Sequence, residues 1–125
     1  MTRNERLALI GILALALALR LAGLAWGVPS STHLKSYHPD EWSTVDTALR
    51  MLLSGQLNPR FFNYPSLTIY LVYAFLKPVS LFVPLSGESL GQWYVLARLV
   101  TVALGTAGVA LTFGLGRRIG STRLG

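Results

Sequence analysis

Cysteine is absent from the 125-residue chain. That excludes a disulfide framework, a thiolate metal site and a cysteine nucleophile. Charge is scarce as well: 13% of the residues are Asp, Glu, Lys or Arg, against roughly 25% in an ordinary soluble domain. Acidic residues are the rarest, five against eleven Lys and Arg, which leaves a net charge of +6. A basic balance points to nucleic acid when the cations form a stripe. Here Arg3, Arg6, Arg117, Arg118 and Arg123 sit at the two ends and flank apolar runs, the positive-inside pattern of a membrane protein, so no nucleic-acid partner is expected. Internal repeats and low-complexity segments are also lacking, apart from a Leu/Ala alternation in the first apolar run. What the chain does have is hydrophobic residues, 52% of the total, gathered into long runs as in membrane-spanning segments.

The first run, Leu7 to Val28, is broken once by Arg20. At about 1.5 Å per residue it reaches across a hydrocarbon core of about 30 Å. A cleaved signal peptide is the rival reading, but Ala25-Trp26-Gly27 makes a poor cleavage site and the apolar run resumes after Arg20. The middle run, Ser66 to Leu85, offers only eleven residues before Lys77-Pro78, about 17 Å of helix. The proline disfavours α conformation at Lys77, and Pro84 follows. The third run, Val95 to Gly116, is an uninterrupted apolar span apart from Arg98 near its start. Ala103, Ala107, Ala110 and Gly114 line one side of it, a small-residue face that lets another helix approach closely.

Charge arbitrates the topology. If the first and third runs cross and the middle one does not, both arginine clusters lie inside, and the outer segment 29–94 balances Lys35, Arg50, Arg60 and Lys77 against Asp40, Glu41, Asp46 and Glu88. The chain therefore reads as an all-α membrane protein with two transmembrane helices, about 7–28 and 95–116. Its outer loop holds juxtamembrane helices at about 40–54 and 66–82. The alternative has three transmembrane helices. The N-terminus is expected in the cytoplasm and the outer loop on the extracytoplasmic face of a plasma or inner membrane. Two spans and one loop do not enclose a substrate cavity, so residues 1–125 read as the N-terminal part of a single, longer multi-spanning domain.

Within the outer segment, Pro29-Ser30-Ser31-Thr32 reads as a loop. A helix follows, with Pro39 in its first turn, Asp40 and Glu41 at its positive end and Gly55 as its stop. Trp42, Val45, Leu49, Leu52 and Leu53 share one face, as in a helix lying on a membrane surface. Asp46 and Arg50 are spaced for an i,i+4 contact. Two adjacent carboxylates in the first turn have two readings. They favour the helix dipole, or one of them is a general base within reach of an acceptor hydroxyl.

The order of motifs is informative. A basic-flanked first helix with an arginine near its outer end precedes His38-Pro39-Asp40-Glu41. Ala48-Leu49-Arg50-Met51-Leu52-Leu53-Ser54-Gly55 comes next, then Leu57-Asn58-Pro59-Arg60-Phe61-Phe62-Asn63-Tyr64-Pro65-Ser66-Leu67. Ala97-Arg98-Leu99 opens a span that closes on Gly116-Arg117-Arg118. Over roughly residues 5–120 this resembles the start of the GT-C glycosyltransferases, in the branch of protein O-mannosyltransferases and aminoarabinose lipid A transferases. The resemblance implies transfer of a sugar from a polyprenyl-phosphate donor to a hydroxyl of a lipid, glycan or protein acceptor. It also implies Asp40 as general base with Glu41 beside it. A leaving phosphate needs cationic or donor groups, and Arg98 is the candidate, with a snorkelling anchor or an ion pair to Asp40 as its other readings. His38, Asn63, Tyr64 and Arg20 complete the candidate substrate- or donor-binding set. Relatives of the aminoarabinose branch carry a lysine where this chain has Tyr64, which puts that acceptor and donor type in doubt. The family has members with and without a divalent ion, so a metal beside His38 stays open and no metal ligand is assigned. Trp26 and Trp93 suit an aromatic belt at the membrane surface, and Lys77 suits a snorkelling cation. The competing class is a small membrane subunit without chemistry that assembles through the small-residue face of residues 103–114.

Overall fold

The computed structural model describes residues 1–87 and 89–119; Glu88 and Arg123, both counted in the charge balance above, lie outside the described residues. Every regular element among them is helical: α1 (Arg3–Ala22), α2 (Pro39–Ser54), α3 (Leu67–Val79) and α4 (Leu90–Ile119). The chain forms two compact units, one of Met1–Leu24 with Thr101–Gly125 and one of Ala25–Val100, so α4 contributes to both.

In the first unit, α1 opens with a capping box. The Glu5 amide donates to Thr2 Oγ1 at 3.3 Å and the Thr2 amide donates to Glu5 Oε2 at 3.0 Å, which satisfies two donors that helix geometry leaves over. Glu5 also pairs with Arg117 at 3.2 Å. The helix ends at Ala22, not at Val28 as the apolar run implies, because Gly23 caps it and residues 23–27 turn. Its uncharged stretch is only Leu7 to Leu19, about 20 Å, and no α1 residue is buried in the unit. Arg20 donates to the Ala16 carbonyl at 2.9 Å and lies over Gly105, where a methyl group would come within 2.7 Å of its Nε. On α4, Val102 and Phe113 are buried, whereas Ala103 and Ala107 are exposed.

The second unit has the core. Val45, Ala48, Leu49 and Met51 of α2 pack with Ile69, Val72 and Leu76 of α3 and with Trp93, Tyr94 and Ala97 of α4. Apolar positions three and four apart put α2's stripe against protein. Trp42 and Leu53, expected on that face, are exposed instead. Trp93 is 0% exposed, which removes it from any aromatic belt. The α2 helix begins with Pro39 at its first position and stops at Gly55, whose φ of +68° places it in the left-handed region that glycine takes without a Cβ penalty.

The α3 helix covers 13 residues, about 20 Å, so it is too short to cross a bilayer. Lys77 is helical despite the proline after it, because Pro78 falls in the last turn, just before the Ser80 cap. Beyond Val79 the chain turns, so the helix is shorter than the expected 66–82. Its outward side is as apolar as its inward side, with Leu67, Tyr70, Leu71 and Phe75 exposed. The α4 helix starts five residues before the expected Val95, since Ser89 carbonyl already accepts from the Gln92 and Trp93 amides. Among the described residues, α4 is the one helix long and apolar enough to cross a membrane; that α1 also crosses is not shown.

Candidate functional site

The first turn of α2 is the centre of a polar network in the second unit. Proline at the first helical position presets the backbone angle, so Asp40 and Glu41 follow at fixed positions and point in different directions. Glu41 is turned inward. Arg98 reaches it with two nitrogens, Nε to Oε1 at 2.5 Å and Nη2 to Oε2 at 2.8 Å. This is the forked geometry that guanidinium and carboxylate favour. Ser36 Oγ donates to Oε2 at 2.5 Å, and Arg98 Nη1 donates to the Trp26 carbonyl at 2.7 Å. Side-chain exposure of 12% for Arg98 and 16% for Glu41 makes this a largely desolvated pair. Burial pushes the Glu41 carboxyl up. The hydrogen bonds from Arg98 and Ser36, with the Arg98 charge, outweigh it and hold the group below its ordinary value.

Asp40 is turned outward and exposed. Its Oδ1 accepts a hydrogen bond from the Tyr64 hydroxyl at 3.0 Å. That bond, and then the Asp40 charge itself, raises the Tyr64 phenol above its ordinary value. Phe61 packs against the Tyr64 ring with centroids 5.7 Å apart. A third carboxylate, Asp46, accepts from the Tyr94 hydroxyl at 2.7 Å. Arg50, expected to pair with Asp46, donates instead to the Pro59 carbonyl at 2.9 Å and to Thr47.

The candidate residues therefore separate. Asp40 and Tyr64 meet; Glu41 and Arg98 meet; the ion pair that was one alternative for Arg98 forms with Glu41 and not with Asp40. His38 caps α2 through its carbonyl, which accepts from the Trp42 amide at 3.2 Å; its own amide donates to Ser36 Oγ at 3.2 Å, and its ring lies 5.5 Å from that of Trp26. Asn63 is exposed in the turn before α3. Arg20 belongs to the other unit. Among the described residues no three His, Asp or Glu side chains converge to hold a cation. Ser36 and Tyr94 are functional neighbours that the sequence did not single out. Their partners lie five and 48 positions away, and only the bias of serine toward the turn before a helix hints at the first.

Compared with known proteins, the chain matches no family model, no curated protein and no solved structure. The class that fold and site define is an all-helical protein with a membrane-compatible helix and a carboxylate-bearing helix start beside it.

Proposed function

We propose that this chain is part of a membrane-embedded glycosyltransferase in which Asp40 is the general base. The single observation that carries the reading is the split between neighbouring carboxylates. Glu41 is consumed by Arg98 and Ser36, while Asp40 stays open to solvent with one phenol on Oδ1. A structural anchor needs the first carboxylate only. The second is placed where an acceptor hydroxyl can approach.

The reaction is the one that the family resemblance implies. Asp40 takes the proton from an acceptor hydroxyl on a lipid, glycan or protein. The acceptor oxygen bonds to the anomeric carbon of a sugar carried on polyprenyl phosphate. The bond from that carbon to the phosphate oxygen breaks, and polyprenyl phosphate leaves with the electron pair. A single displacement inverts the anomeric centre. Arg98 acts through Glu41 as a positioning residue, because its fork is already closed on that carboxylate. The 20 residues of α1, about 30 Å with Arg3, Arg6 and Arg20 toward its ends, and the longer α4 anchor the protein in a plasma or inner membrane, N-terminus inside and α2 outside. The exposed apolar side of α3 suits a helix resting on the outer membrane surface.

The test is sugar transfer from a polyprenyl-phosphate donor by the full-length protein and its Asp40→Asn variant in vesicles. Loss of transfer with unchanged insertion and donor binding supports the assignment. Transfer within a few-fold of wild type refutes it. A second reading, a non-catalytic membrane subunit, draws on the exposure of Ala103 and Ala107, which leaves that small-residue face open to another helix. Under that reading Asp40→Asn is silent.

A further inference from the structure

The loop from Ala25 to His38 has a construction that the reaction does not use. It is a chain of ring contacts. His33 stacks on Tyr37 at 4.4 Å, Tyr37 meets Trp26 edge-on at 5.6 Å, and Trp26 meets His38 at 5.5 Å. The Lys35 ammonium sits 4.7 Å from the centre of the Trp42 ring. Backbone bonds fix the loop's shape: the Tyr37 amide donates to the Gly27 carbonyl at 3.0 Å and the Ser30 amide to the His33 carbonyl at 2.8 Å. Gly27 is required there twice over. Its φ is +62°, and a methyl group would come within 2.8 Å of the Tyr37 ring. Yet this ordered loop leaves its apolar groups outside. Leu34 is 79% exposed, Trp26 61% and Tyr37 59%.

Two contacts give the level of the loop on α4. The Pro29 carbonyl faces Gly91 so closely that a methyl group there would come within 2.6 Å of it, and the Trp26 carbonyl accepts from Arg98. Beyond Arg98, the uncharged stretch of α4 runs from Leu99 to Gly116, 18 residues. At about 1.5 Å per residue that is about 27 Å, close to the thickness of a hydrocarbon core. Arg98 thus marks one boundary of the apolar layer, and the Trp26 loop lies just on its polar side. Indole, phenol and lysine ammonium are the groups that partition to this depth, where one end of the side chain is apolar and the other wet. Between Ala25 and Pro39 there is one lysine and no acidic residue, which suits a phosphate-bearing surface.

We propose that the loop of Ala25 to His38 is an interfacial anchor whose partner is the phospholipid headgroup layer of the outer leaflet. Trp26, Tyr37 and Leu34 enter the layer, and Lys35 faces the lipid phosphates. The proposal rests on reading α4 as a membrane span, not on glycosyl transfer. It has a consequence for the site: His38 ties the anchor to the start of α2, which sets Asp40 at headgroup depth.

Residues 1–125 hold no cysteine, so a single nitroxide is placed at Leu34→Cys on the full-length protein, with any cysteine outside these residues replaced by serine, in vesicles of phosphatidylethanolamine and phosphatidylglycerol. Collision with oxygen is compared with collision with a water-soluble nickel chelate. Trp26 emission, taken as the difference between wild type and Trp26→Phe, is measured with lipids brominated near the headgroup or near the chain end. The anchor is supported by a nitroxide more accessible to oxygen than to chelate, with Trp26 quenched best by the bromines nearest the headgroup. It is overturned by a nitroxide fully open to the chelate, which leaves the loop in water. It is equally overturned by shielding from both reagents, which means a protein segment covers it, or by strongest quenching from the chain-end bromines. Flotation of the labelled protein with the vesicles separates failure of the anchor from failure of the membrane reading.

Discussion

Replacing Arg98 with leucine isolates the energetics of the network at the start of α2. The change removes both donors of the fork and the bond to the Trp26 carbonyl, and leaves the Glu41 carboxylate with Ser36 alone. Removing one partner of a buried pair costs about 3–5 kcal/mol, because the other charge stays desolvated. Here the cost has a ceiling, since Glu41 can escape by taking a proton. From an ordinary carboxyl value of about 4.3, protonation at pH 7 costs about 3.7 kcal/mol, and at pH 5 about 1 kcal/mol. The lost bond to Trp26 adds about 1 kcal/mol at either pH. The variant is therefore expected to be destabilised by about 4 to 5 kcal/mol at pH 7 and about 2 kcal/mol at pH 5. Wild type behaves in the opposite sense. Glu41 is held below its ordinary value in the folded protein, so its contribution is present above the unfolded value and is lost as pH falls through the folded one. Adding Glu41→Gln to Arg98→Leu removes the stranded charge and should restore most of the loss at neutral pH. Thermal unfolding in detergent, followed by emission of the buried Trp93, gives the comparison. Equal stability of Arg98→Leu and wild type at pH 7, or a double variant as unstable as the single one, would refute the reasoning.

Asp40→Asn should lower sugar transfer by about 10²- to 10⁴-fold with only a small drop in unfolding temperature, since Asn keeps an acceptor for the Tyr64 hydroxyl and gives up about 0.3–1 kcal/mol of helix-dipole interaction; initial rates at matched expression decide it. Gly91→Ala should destabilise by about 1–3 kcal/mol, because the new methyl meets the Pro29 backbone, whereas Gly105→Ala should be nearly neutral, because it meets the mobile end of Arg20; equal effects on unfolding temperature would count against both contacts. For topology, single cysteines at Ser31, Ser86 and Ser121 treated with an impermeant thiol reagent should label at 31 and 86 and not at 121. Labelling at 121 and not at 86 means three crossings. Ser31 replaces the otherwise obvious Ser36, which is buried against Glu41.

What could be read from the sequence was what is local. Pro39, the acidic first turn and Gly55 mark α2 within a residue of its observed ends, because start and stop signals act through a residue's own backbone and its near neighbours. Pro78 was a weaker guide to α3, because in the last turn a proline neither ends the helix nor keeps Lys77 out of it, and the helix stops at Val79, short of the expected 82. The Arg98–Glu41 fork was not legible, since the residues lie 57 positions apart and either acid of the Asp40-Glu41 pair satisfies the same pattern. Trp93 was misplaced for a related reason: an indole looks the same in a sequence whether its apolar neighbours are lipid or Met51 and Ile69. At the end of α1 the local signal, Gly23 and Gly27, was present but outweighed by the hydrophobicity of the residues around it. A glycine-rich turn built from apolar residues mimics a continuing span.

The two polar contacts between α2 and α4 have a mechanical meaning. Arg98 meets Glu41 and Tyr94 meets Asp46, so the pairs climb one helix while descending the other, about one turn apart on each. Sliding α2 by a single turn, about 5.4 Å, would set the guanidinium against Val45 and the Tyr94 hydroxyl against Arg50, with no acceptor for either. Two side-chain bridges thus hold the helices in one register, like a rack with two teeth. Any motion that carries Asp40 toward a substrate must pivot about those teeth, because translation along α4 would unmake both bonds together.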